Sequence, residues 1–127
     1  MNPRDLHPTA ALLRPVPLEC PQTIPFKDTG ETILFDCNPR VFALACAHGI
    51  VAETAPGTVA LYCELPNLTV MVYYENLRSI HVKKGQRVKE ADLIGAPTDT
   101  LMFSVVDLLT GRAVEPEFFG DYRLYAQ

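Results

Sequence analysis

The side chains that could do chemistry in this sequence are few, and their spacing narrows what they can do. The cysteines are Cys20, Cys37, Cys46 and Cys63, separated by 17, 9 and 17 residues. No C-x-x-C pair occurs, so a zinc knuckle or ribbon is a poor match. Four cysteines allow three disulfide pairings in an oxidising compartment. In a reducing one they act as small buried hydrophobes. The histidines are His7, His48 and His81. Cys46 and His48 could share one face of an extended stretch with Cys63 nearby, as a metal site. The plainer reading of each histidine is a surface or turn residue. Ser79 and Ser104 lack a nearby His–Asp signature, which argues against a serine nucleophile. No cysteine has the electropositive setting that lowers a thiol pKa. Lys83, Lys84, Arg87 and Lys89 gather around His81, either as a solvated turn rim or as a positive patch for an acidic partner. Asp107, Glu115, Glu117 and Asp121 against Arg112 form an opposing acidic stretch that could steer copies of the chain together.

The elements that must position these groups read as all-β. A chain of 127 residues fits one domain, and 48% hydrophobic residues are enough for a core. A net charge of −4 argues against a nucleic-acid binder. No apolar run approaches the roughly 20 residues of a membrane helix. The start has no signal-peptide pattern, so synthesis and residence in the cytoplasm are expected. Six of the eleven prolines (Pro3, Pro8, Pro15, Pro17, Pro21 and Pro25) fall early in the chain. Residues 1–30 therefore read as an extended arm, with one helical turn at 9–13. Leu12, Leu13, Val16, Leu18, Ile24 and Phe26 are too apolar for a free tail. They are assigned to packing along the chain's own domain or, as the main binding element, along a partner. A chain lacking residues 1–28 is then expected to fold. Short β-rich runs follow at 31–36, 40–46, 49–54, 57–63 and 68–74, then at 80–82, 93–94, 101–107 and 112–114, between turn signals. The strand at 68–74 is apolar on both alternating sets and reads as covered on both faces. Gly85 is a turn glycine needing positive φ, and Gly95 a second tight point.

Residues 82–95, VKKGQRVKEADLIG, carry the pattern V-K-x-G-Q-x-V-x-x-x-x-x-I-G. Together with four flanking segments, they make the chain resemble the lysostaphin-type (LytM-like) zinc metallopeptidases. Val41 to Val51 resembles that family's p-V-x-A-x-x-x-G-x-V hairpin. Val70 to Leu77 resembles its V-x-Y-x-H-L strand end, Leu101 to Val105 its H-L-H-F-E-V strand, and Gly111 to Pro116 its closing G-x-x-v-n-P. The match runs in order over about residues 36–119. It implies an all-β barrel-sandwich hybrid of the duplicated hybrid-motif type over residues 31–127, with the arm outside it. Biotinyl and lipoyl carriers share that architecture, but no lysine lies in residues 90–127 to be the modified one.

The resemblance also implies where the family's zinc site would stand. The H-x-H strand reads Thr100-Leu101-Met102, the Y-x-H-L histidine is Asn76, and the upstream H-x-x-x-D is Thr32 to Asp36. These positions retain one carboxylate and no imidazole, too little to hold Zn²⁺. The expectation is a non-enzyme without metal or cofactor: a structural or protein-binding module in a larger assembly, such as a phage tail or baseplate. Its partners would be other protein subunits or copies of itself, and its setting a virion. The alternatives are a peptidoglycan-binding module, or a cell-wall endopeptidase with an unrecognised metal site.

Overall fold

The structure is a computed structural model, and it describes residues 9–38 and 40–120. His7, Asp121 and the first eight residues of the arm lie outside them. Ten strands and one helical turn follow in chain order: β1 (Thr9–Leu13), β2 (Gln22–Ile24), α1 (Phe26–Thr29), β3 (Thr32–Asp36), β4 (Ala43–Leu44), β5 (Gly49–Ala55), β6 (Thr58–Glu64), β7 (Thr69–Ile80), β8 (Arg87–Val88), β9 (Leu93–Asp107) and β10 (Glu115–Phe119). Eight strands form one sheet in the order β2-β3-β9-β7-β6-β5-β8, with β4 also on β9; β1 and β10 form a separate parallel pair. The all-β class stands. The sheet, however, keeps two edges and does not close into a barrel.

Alternation explains the layering. On β7, Val70, Val72 and Tyr74 are fully buried, whereas Thr69, Met71 and Tyr73 are half-buried. The expected cover on both faces is thus partial. Register aligns the buried set with Leu61 on β6, Val105 and Phe103 on β9, and Ile33 and Phe35 on β3. One apolar face results, and β1, β10 and the segment at 41–47 cover it. Phe118 of β10 lies 5.7 Å from both Phe35 and Phe103, and Tyr74 meets Phe103 edge-on at 5.3 Å. The Tyr74 hydroxyl donates to the Leu44 carbonyl at 3.0 Å and accepts from the Cys46 N–H at 2.9 Å. A buried phenol needs such partners.

Several expected strands change length for local reasons. The runs at 68–74 and 80–82 are largely joined in the 12-residue β7, and those at 93–94 and 101–107 in the 15-residue β9. Pro97 and Gly95 look like breaks in sequence. Both sit where β9 pairs with β7 across register shifts near Leu77 and Ser79, a place where a missing donor or side chain is tolerated. A Cβ on Gly95 would collide with the Ser79 carbonyl. Gly85 takes φ +88° at its turn, as expected. Only Ala43–Leu44 of the 40–46 run is strand. Neighbouring amides are bonded elsewhere, Ala45 to the Asp92 carbonyl and Cys46 to Tyr74.

The arm needs the largest correction. Residues 9–13 are a strand, not a helical turn, and pair in parallel with β10 from Thr9↔Glu115 to Leu13↔Phe119. Leu12, Leu13 and Val16 are fully buried in the chain's own core, so they cannot be a partner surface. Ile24 and Phe26 are half-buried, and Leu18, 54% exposed, is the outward one. A boundary at residue 30 therefore cuts through the core, because β1 supplies part of its cover. The prolines account for the path between β1 and β2. Pro15 and Pro17 remove donors and leave carbonyls that a side chain must satisfy. Arg14 does this: its guanidinium donates to the carbonyls of Val16 (3.0 Å), Cys20 (2.7 Å) and Pro17, and lies 5.0 Å over the Phe35 ring.

These positions predict opposite outcomes within one arm. Leu13→Ala is expected to cost about 2–5 kcal/mol, and Leu18→Ala no more than about 0.5 kcal/mol, in urea unfolding of the full chain. Deletion of residues 1–28 is expected to abolish cooperative unfolding.

Candidate functional site

The uncovered face of the sheet is the candidate site. Following the register, it carries Thr32, Leu34 and Asp36 from β3, Thr100, Met102, Ser104 and Val106 from β9, Met71, Tyr73 and Glu75 from β7, and Thr58, Tyr62 and Glu64 from β6. Every second residue of these strands packs inward, and the alternates are left to line a shallow trough. Two hollows lie on it. One, of about 300 Å³, is lined by Glu31, Thr32, Tyr73, Glu75 and Ser104, with Val106, Gly111 and Ala113. The other, of about 590 Å³, lies between Tyr62 and Glu64 and the strand pair β5–β8, with His48, Arg87, Lys89 and Asp92 at its rim. The Tyr62 hydroxyl donates to Glu64 at 3.0 Å, and that bond pushes the phenol's pKa up.

The structure brings together four of the five positions where the resemblance implies a decayed zinc site. Asp36 pairs with Thr100, and Met102 sits two residue pairs away on the same face, opposite Leu34. Asn76 is joined to Thr100: its Nδ2 donates to the Thr100 carbonyl at 2.9 Å and to Oγ1 at 2.8 Å. The Thr98 hydroxyl donates back to the Asn76 carbonyl at 3.0 Å. Thr32 falls apart from this group, opposite Ser104. Thr32 and Asp36 lie four residues apart on an unbroken strand, so their Cα atoms are about 13 Å apart. Side chains at that separation cannot share one ion through bonds of about 2 Å, and Thr32 is removed from the set. Among the described residues, no three of His, Cys, Asp or Glu come close enough to hold a metal. Cys46 and Cys63 are buried together, but His48 points away, its Nδ1 accepting from the Glu90 N–H at 3.2 Å.

The basic cluster divides. Arg87 and Lys89 line the larger hollow. Lys84 pairs with Glu53 at 3.3 Å in an exposed bridge, which contributes little. Lys83 is exposed on the same turn. Of the opposing acids, Asp107 is buried, and its Oδ1 accepts from the Leu109 N–H at 2.8 Å to hold a turn. It is thus no part of a surface patch. Four groups escape a reading by motif. The Tyr74 hydroxyl acts on backbone about thirty residues away, which leaves no local trace, and Arg14 acts on the loop that follows it, whose carbonyls converge only once the loop is folded. Tyr62 and Tyr73, by contrast, are the half-buried alternates of β6 and β7, and the period-two pattern could have placed them. Burial pushes the Cys37 thiol up to about 12, with Cys20 beside it adding to the shift.

No protein-family profile matches the sequence, and no curated protein matches it either. Solved structures do match. An M23 peptidase candidate from Pseudomonas aeruginosa superposes with a TM-score of 0.67 at 20% identity, over 82% of this chain and 47% of that one. Helicobacter pylori Csd3 gives 0.63 at 15% identity, over 84% of this chain and 32% of that one. Lysostaphin gives 0.56 at 18% identity, over 72% and 46%. The catalytic domain of a variant of EnpA, a prophage-encoded M23 protein of Enterococcus faecalis, gives 0.54 at 16% identity, over 69% and 76%. The chain therefore has the LytM and lysostaphin type of all-β fold. It spans about a third to a half of the length of the first two.

Asn76 holds φ +70° at a register shift in β7, a conformation that β-branched residues rarely adopt. Asn76→Gly is expected to cost about 0.5–1.5 kcal/mol, the lost hydrogen bonds alone. Asn76→Val is expected to cost roughly 2–4 kcal/mol, since it adds backbone strain, as read by chemical denaturation. The Cys37 shift gives a pH dependence. Its folded pKa is raised above the ordinary 9.0. The stability it contributes is therefore complete below about pH 9 and lost as pH rises toward 12. Reduced wild-type protein should melt at lower temperature above pH 9, and Cys37→Ala should show a shallower decline.

Proposed function

We propose that the chain is a non-catalytic structural or protein-binding module on a cell-wall peptidase type of scaffold, acting as a component of a larger assembly such as a phage tail or baseplate. The observation that carries this reading is the hydrogen-bonded group at Asn76, Thr98 and Thr100. At Asn76 and Thr100, two positions where the resemblance implies histidines, the Asn76 amide is bonded to Thr100 across β7 and β9, and the Thr98 hydroxyl holds the Asn76 carbonyl. Met102 adds no usual ligand, and Asp36 is a single carboxylate. What the scaffold then offers is surface: the trough with Tyr62, Tyr73 and Glu75, the hollow edged by Arg87 and Lys89, and the outward Leu18.

A second reading, a peptidoglycan-binding module, is favoured by Tyr62 and Tyr73 standing half-buried beside Glu64 and Glu75 on the open face. Aromatic faces suit sugar rings, and carboxylates suit hydroxyl and amino groups. One preparation separates the alternatives. Full-length protein from zinc-replete culture is analysed for metal, incubated with purified peptidoglycan while turbidity is followed, and then pelleted with it. The proposal expects well under one equivalent of zinc, constant turbidity and protein left in the supernatant. Co-pelleting at constant turbidity favours the wall-binding reading. Chelator-sensitive clearing would establish an enzyme.

A further inference from the structure

We infer that Cys20 and Cys37 form a disulfide site that ties the N-terminal arm to strand β3. The register of β2 against β3 places them together. Gln22 faces Phe35, and the Asp36 N–H donates to the Pro21 carbonyl at 2.9 Å. Continued by one residue, the same antiparallel register sets Cys20 opposite Cys37. Pro21 and Asp36 occupy a hydrogen-bonded position, so Cys20 and Cys37 occupy the adjoining non-hydrogen-bonded one. The backbone agrees: the Cys37 N–H turns to the Asp99 carbonyl at 2.8 Å, and the Cys20 N–H to the Pro17 carbonyl at 2.9 Å, neither crossing to the other cysteine. At such positions Cα atoms lie about 4.5 Å apart and side chains are at their closest. A disulfide spans Cα separations of roughly 4.4–6.8 Å. Each thiol also perturbs the ionisation of the other, as neighbours do.

A second adjacent pair, Cys46 and Cys63, is the natural competitor. Both of its members are completely enclosed, whereas Cys37 keeps 7% of its surface exposed. Only the Cys20–Cys37 pair lies near the surface, where a small oxidant can reach a sulfur without unfolding the core. The oxidant class is a small-molecule disulfide. The thiolate of Cys37, the more exposed of the two, displaces one thiol from it and forms a mixed disulfide. Cys20 then attacks the Cys37 sulfur and releases the second thiol. The pair loses two protons and two electrons, one S–S bond forms, and the oxidant ends as two thiols. The new bond closes the loop that carries β2 and α1 onto β3, the strand holding Asp36.

The test uses the folded, full-length protein. It is incubated with excess oxidised glutathione, its free thiols are alkylated, and it is mapped by trypsin and mass spectrometry without reduction. Lys27 lies between the two cysteines, so cleavage there makes the bridge visible as two linked peptides. The expected result is a dominant Cys20–Cys37 link and a mass lower by two hydrogens. Cys46 and Cys63 should be alkylated only after denaturation, and the melting temperature should rise by several degrees. That rise should be absent in Cys20→Ser treated alike. Four free thiols, a glutathione adduct that goes no further, or a predominant Cys46–Cys63 link would overturn the assignment, and each is readable on wild-type protein even if the variant folds poorly.

Discussion

A guanidinium without a carboxylate holds the cover of this fold in place. Arg14 is nearly buried, and among the described residues its partners are carbonyls and an aromatic face. Burial lowers its pKa, yet arginine stays charged at neutral pH, so the charge must be solvated by the protein. The loop from Val16 to Cys20 supplies that solvation. Its prolines withhold donors and leave carbonyls free to converge on one side chain. The cation in turn fixes the loop against Phe35, and Phe35 packs on Phe103 and Phe118. The cover strands and the sheet's inner face are thereby locked to each other. Because one face is sealed in this way, the opposite face remains the open one.

The open face is shaped by two long strands that would be too stiff if they were regular. β7 and β9 run together through register shifts near Asn76, and the shifts turn the sheet without unpairing it. Asn76 serves this bend twice. It accepts a left-handed backbone, which Asn tolerates better than most residues, and its amide clamps Thr100 on the neighbouring strand. The residue at the bend is therefore used for backbone geometry. Its side-chain N–H groups are directed along the sheet, to Thr100, and not toward a ligand above it.

Much of the sheet was legible from alternation. β3, β5, β6 and the first half of β7 follow period-two patterns between turn residues, and the glycine at 85 needed its positive φ. Gly95 read as a tight point closing the run at 93–94, and Pro97 lies in the gap before the run at 101–107, because each residue type normally breaks a ladder. They are internal because β9 uses them at a shift, where the broken ladder bonds are absent anyway. The grouping of Asp36, Asn76, Thr100 and Met102 was also legible, through motif order. Thr32 was misplaced because a motif fixes spacing along the chain but not conformation, and an extended strand carries four residues much farther than a turn does.

The amino-acid order by itself determined the class of fold, the alternation that divides covered from open residues, and the lack of imidazoles along the matched strands. These are local properties, set by side-chain type and periodicity. Only the tertiary structure decided that the proline-rich arm is part of the core, that Arg14 is its fastener, and that Cys20 faces Cys37. Each of those facts depends on contacts between segments whose relation is absent from local pattern: β1 meets β10 about a hundred residues later, and a single register decides which side chains meet across β2 and β3.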